Sequence, residues 1–231
     1  MRVPALSFHG HPLAELFTRE CVESLEGLCT YNLIRESGEL PAGFVHASPP
    51  NQGWSYTMWT RDAGVFLREL VLWGRTSDAR LVANCLMDLV QRNEEGFLAF
   101  PEHFNKGQPG AGHEIDGTCA IIIALVLFWE RLDTTDPLHS RIASFLTDKG
   151  SPLDFLEREL AKGPLIAGTG EFGPGCGVRG AACNVVQNNL AVLAAFAAAR
   201  MDERRGDHQR ASRLRASAER IRQGMEKHLG G

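Results

Sequence analysis

The stretch CAIIIALVLFW, Cys119 to Trp129, is apolar around its whole helical circumference, and its reading decides the fold. It falls well short of the ~18 to 20 residues needed to cross a bilayer, so a helix of this kind must be surrounded by protein. NVVQNNLAVLAAFAAARM, from Asn184 to Met201, is nearly as apolar, with many small residues that allow close helix approach. By contrast DARLVANCLMDLVQR (Asp78–Arg92) and DHQRASRLRASAERIRQGMEKHL (Asp207–Leu229) carry charge along one side, as half-exposed helices do.

Helical periodicity dominates the rest of the chain, and no alternating strand of useful length is legible. Helices are predicted near residues 12–29, 62–74, 78–92, 116–132, 138–161 (broken at Gly150-Ser151-Pro152), 183–203 and 207–228, an all-α class. In chain order they alternate between wet and dry, beginning with a wet one, which describes two concentric rings. The connections into the dry helices are long and polar, at 30–61, 93–115 and 162–182. Loops beyond ~12 to 15 residues in a compact domain are usually functional, and these three would gather at one end of the inner ring.

The 231 residues allow one large domain or two small ones, and the net charge of −4 is spread along the chain. The one dense basic stretch, residues 204–222, is interrupted by Asp207 and Glu219, so nothing asks for nucleic acid. Residues 1–16 lack the apolar run of a secretory signal, and no span suits a membrane, so the expectation is a soluble cytoplasmic protein. Cysteines 21, 29, 85, 119, 176 and 183 show no CxxC spacing and read as buried reduced thiols.

Each long loop delivers polar groups to the start of a dry helix. YTMWTRDAGVFLREL (Tyr56–Leu70) brings Trp54, Tyr56 and Trp59 with Arg61 and Asp62; HEIDGT brings His113, Glu114 and Asp116; GTGEFGPGCGVRG brings Glu171 and Arg179. Carboxylates, arginines and aromatic faces on one pocket suit a sugar, whose hydroxyls take charge-assisted hydrogen bonds while its apolar faces pack on rings. Asp62 and Asp116 also stand where a helix N-cap belongs, a role without chemistry. Glu171 sits among five glycines that permit close ligand approach, beside Phe172, which favours its protonated form. A metal reading from His103, His113, Glu114, Asp116 and Cys119 lacks the spacing of a zinc site.

The Trp-Thr-Arg-Asp start, the HEIDGTCAIIIAL segment and the loop GEFGPGCGVRGAACNVVQNNLAVLAAFA resemble the inner-helix starts of glucoamylase-like six-hairpin glycoside hydrolases over most of residues 54–201. The resemblance implies an (α/α)6 barrel, of which this chain would supply about seven of twelve helices, residues 1–231 being an N-terminal part truncated at the C-terminus. It implies that Arg61, Asp62 and Trp59 hold the sugar at the non-reducing end, that Glu114 and Asp116 shape the pocket, and that Glu171 is the general acid. The acid is often followed by a second acid in that family, whereas here Phe172 and Gly173 follow.

The implied activity is inverting hydrolysis of a glucosyl-type residue from an oligosaccharide or glycoside, the base lying beyond Gly231, with no metal or organic cofactor. The alternative is a non-catalytic carbohydrate-binding or scaffold protein that keeps the pocket.

Overall fold

Apolar residues spaced for helices bury one stripe each, and in the computed structural model, which describes residues 12–48, 52–110, 112–167 and 185–228, they do so in eight helices. These are α1 (Pro12–Tyr31), α2 (Thr60–Leu72), α3 (Thr76–Leu89), α4 (Ile115–Arg131), α5 (Pro137–Thr147), α6 (Pro152–Ala161), α7 (Val185–Arg205) and α8 (His208–His228). The segment expected to break at residues 150–152 forms two separate helices. Gly150 turns the chain at φ +75°, Pro152 opens α6, and the Ser151 hydroxyl accepts the Asp154 N–H at 3.2 Å. Pro is compatible with a first helical turn because its missing N–H would be unpaired there anyway.

The fold is mostly helical, as expected, and also contains a small antiparallel sheet in the order β1 (Thr57–Trp59), β2 (His103–Asn105), β3 (Gln108–Pro109). The sequence reading found no strand because two or three residues are too few to display a period of two.

Helix α4 packs against α2 on one flank and α7 on the other, making an inner row of the three dry helices. Behind them lie α3, α5, α6 and α8. Arg80 of α3 pairs with Asp136 at the start of α5, Arg141 of α5 reaches Asp88 of α3 at 2.5 Å, and α6 bridges α5 and α8. This is a two-layer arrangement. Central placement leaves α4 with only Ile123 and Leu127 partly uncovered among its aliphatic residues. Large apolar side chains are exposed on the two flanking helices, at Val65 and Leu72 of α2 and Val186 and Leu193 of α7. No helix among the described residues is long and apolar enough to cross a membrane. The four described cysteines are free thiols, three of them buried.

The inner row depends on residues without side-chain bulk. A Cβ at Gly64 of α2 would lie 2.8 Å from the backbone carbonyl carbon of Ala120 on α4, and one at Gly117 of α4 would lie 2.3 Å from the Thr60 hydroxyl. The two helices therefore touch backbone to backbone near their N-terminal ends. A second anchor ties the outer layer: Arg210 of α8, almost buried, meets Asp154 at 3.0 Å and Glu157 at 3.1 Å on α6, and Asp202 on α7 at 3.7 Å. Burial pushes the Asp202 carboxyl up to about 6 against the pull of Arg210.

Two stability measurements check this reading. In denaturant titrations Gly64→Val should lose roughly 2 kcal/mol to overpacking against a backbone that cannot yield, whereas Gly27→Ala in α1, with nothing within 4 Å of its would-be Cβ, should gain about 0.5 to 1 kcal/mol. Arg210→Met should lose about 3 kcal/mol at neutral pH by stranding the buried Asp202 carboxylate. That loss should shrink toward pH 5 as Asp202 takes up a proton, and a pH-independent loss would reject the ionic explanation.

Candidate functional site

The site begins where β1 becomes α2. The Thr60 N–H donates to the Glu102 carbonyl at 3.1 Å and its hydroxyl donates to the Pro101 carbonyl at 2.6 Å, so the second long loop is pinned over the end of the first. Strand pairing sets Trp59 opposite His103, with ring centroids 5.0 Å apart, and Trp54 meets the other partner of this ridge, Trp59, edge-on at 5.7 Å. Trp54 is more than half exposed, which leaves an aromatic surface open to a ligand.

The same loop is fastened to the start of α4. The Glu114 N–H donates to the Phe100 carbonyl at 3.0 Å, and the Thr118 hydroxyl accepts the Phe100 N–H at 3.1 Å while donating to the Glu114 carbonyl at 2.9 Å. These bonds bring the beginnings of α2 and α4 together. Arg61 Nη1 lies 3.4 Å from Asp116 Oδ2, and Arg61 Nε lies 3.6 Å from Asp62 Oδ1. Asp116 is buried and also accepts the Gly117 N–H at 2.8 Å, so its carboxylate is held from two sides.

Glu114 completes the cluster with the opposite protonation tendency. Burial, the neighbouring Asp116 charge, a hydrogen bond shared with Asp116 and the Glu102 charge together push its carboxyl up to about 8, outweighing the attraction of Arg61. At neutral pH Glu114 is therefore mostly a carboxylic acid that donates to Asp116, an arrangement that spares two adjacent carboxylates from repelling each other. Among the described residues the other acidic side chains near Arg61 are Asp62, Asp116 and, one step further, Glu102, which is 3.7 Å from His103. That field favours hydroxyl donors and repels anions.

Five of the residues expected from the sequence, Trp59, Arg61, Asp62, Glu114 and Asp116, are thus brought to one end of the inner row. Glu171 and Arg179 lie outside the described residues. Neither aspartate is an N-cap: Trp59 and Glu114 occupy those positions without side-chain capping bonds, and Asp62 and Asp116 sit within the first turn, where the helix dipole favours a negative charge. Residues of the metal reading do not gather, for among the described residues no three His, Cys, Asp or Glu side chains come together to hold an ion. His113 Nδ1 lies against the Ala99 carbonyl at 3.1 Å, and complete burial keeps the Cys119 thiol protonated.

Sequence reasoning missed Glu102 and the part played by His103. Both reach the site through the β1–β2 register, and no periodic signal marks a three-residue strand.

Chemically, the arrangement can grip a hydroxyl between a guanidinium and a carboxylate, stack an apolar ring face, and store one proton on Glu114. No protein-family model matches the chain, and no curated protein matches its sequence.

The protonation of Glu114 has a measurable consequence. Its carboxyl binds a proton more tightly folded than unfolded, so this contribution to stability is complete below the ordinary glutamate pKa and is lost as pH rises through about 8. The melting temperature should fall between pH 6 and 9, and Glu114→Gln, which still donates to Asp116, should flatten that fall. Parallel melting curves for the two proteins would remove Glu114 from the account.

Proposed function

We propose that the chain is a glycoside hydrolase of the glucoamylase-like, six-hairpin type, its inner and outer rows forming an arc of an (α/α)6 toroid. The observation that carries this reading is the Arg61–Asp116 contact at 3.4 Å beside the Trp54–Trp59–His103 ridge. A buried carboxylate and a guanidinium held in one place accept and donate to adjacent sugar hydroxyls, and exposed indole surface packs on the ring between them.

In this proposal Trp59, Arg61 and Asp62 bind a glucosyl-type unit at the non-reducing end of an oligosaccharide or glycoside. Glu114 and Asp116 form the wall behind it. The negative field described above supports a neutral substrate over an anionic one. Glu171, in its glycine-rich loop, protonates the departing glycosidic oxygen, and inversion leaves ~6.5 to 9.5 Å between that acid and the base that activates water on the opposite face. No metal or organic cofactor takes part.

The test couples binding with turnover. Maltotriose should bind the wild-type protein and release glucose, Arg61→Met should weaken binding by about tenfold or more through loss of a charge-assisted bond, and Glu171→Gln should abolish release while binding persists. Binding without release in the wild type would favour the non-catalytic carbohydrate-binding alternative. Absence of binding would end both.

A further inference from the structure

A second concave site lies at the other end of the same helices. A cavity of about 510 Å³ opens between the C-terminal end of α4, the first half of α5 and the C-terminal end of α7. Along α4 it is about 20 Å from Asp116, at 1.5 Å of rise per residue. The volume falls within the ~300 to 1,000 Å³ typical of small-molecule sites.

Its lining is chemically unlike the first site. Trp129 and His139 stack with centroids 4.8 Å apart and planes inclined by 25°, placing an aromatic pair in the wall. Around it stand the Ser140 and Ser144 hydroxyls and the guanidinia of Arg204 and Arg205. Glu130 also lines the cavity, but this one carboxylate is shared by Arg200 at 3.4 Å and Arg204 at 3.7 Å. Arg205 donates to the neutral Thr147 hydroxyl at 3.2 Å, and its charge also acts on the Asp202 carboxyl, which Arg210 holds at 3.7 Å. The neighbouring Asp136 is engaged by Arg80 and by the Leu138 N–H, and Asp133 by Thr135. Within the lining itself two guanidinia, Arg204 and Arg205, accompany one carboxylate, Glu130.

Trp129 is only 6 % exposed and backs this wall, and its indole N–H has no acceptor among the described residues.

We propose that this cavity binds the phosphate group of a small hydroxylated phosphomonoester. Arginine forks and serine hydroxyls together match the several oxygens of a tetrahedral dianion better than they match a planar carboxylate. Glu130, the only acceptor-rich group in the lining, takes a hydroxyl of the carrier, and the Trp129–His139 wall covers its carbon skeleton. A ligand of this charge is unsuited to the acidic end at Arg61, so the two ends of the inner row bind different molecules. The proposal stands independently of the glycosidase reading.

Calorimetric titration at constant ionic strength tests it, with inorganic phosphate and glycerol 3-phosphate as probes and glycerol as the neutral control. Glycerol 3-phosphate should bind saturably at one site and more tightly than inorganic phosphate, and glycerol should not bind. Arg205→Gln should weaken binding about tenfold, and Ser144→Asp, which adds a carboxylate to the cavity while sparing both arginines, should eliminate it. Both positions are exposed, so unchanged melting without phosphate is expected of each; should Arg205→Gln unfold the protein, Ser144→Asp alone decides. Non-saturable binding, or affinity untouched by Ser144→Asp, overturns the proposal.

Discussion

The contact on which the molecule turns is the approach of α2 to α4, where Gly64 faces the Ala120 backbone and Gly117 leaves room for the Thr60 side chain. A side chain at either glycine would separate the helices by a methyl group or more, and interiors packed at crystal density do not absorb such a change without strain. Because the touching ends are also the ends where the polar loops arrive, this packing event sets the site. Arg61 and Asp116 are one residue removed from Thr60 and Gly117, so the distance between their charges follows from the distance between the helices.

Around that contact the polar groups are organised in a sequence of dependencies. Thr60 anchors the 101–102 backbone, that backbone places His103 against Trp59, and Phe100 fastens the start of α4 through Thr118. Glu114, pushed toward its protonated form by burial and by its neighbours, lies beside the Asp116 carboxyl that Arg61 meets at 3.4 Å. Removing the proton would place two carboxylates in hydrogen-bond range of each other, which is why the protonation state of one side chain and the geometry of its neighbours cannot be treated apart.

The two ends of the inner row have opposite electrostatic character. Among the described residues, carboxylates outnumber the guanidinium around Arg61, whereas arginines outnumber the carboxylate around Glu130. Helix polarity contributes to this division: Asp62 and Asp116 lie in first turns, and Arg131, Arg204 and Arg205 lie in last turns, each where the dipole favours its charge. Parallel alignment of α2 and α4 at their starts gathers the acidic turns together.

Periodicity in the sequence determined which segments are helices and which of them are dry, because burial of one stripe or of a whole circumference is written directly in residue spacing. It also singled out Trp59, Arg61, Asp62, Glu114 and Asp116, since charged and aromatic residues concentrated at dry-helix starts are costly unless they act together. Only the tertiary structure decided that Glu102 and His103 belong with them, that burial raises the Glu114 carboxyl, and that α4 is covered on both flanks while α2 and α7 are not. Those facts arise from strand register, desolvation and helix order in space, all of which join residues distant along the chain.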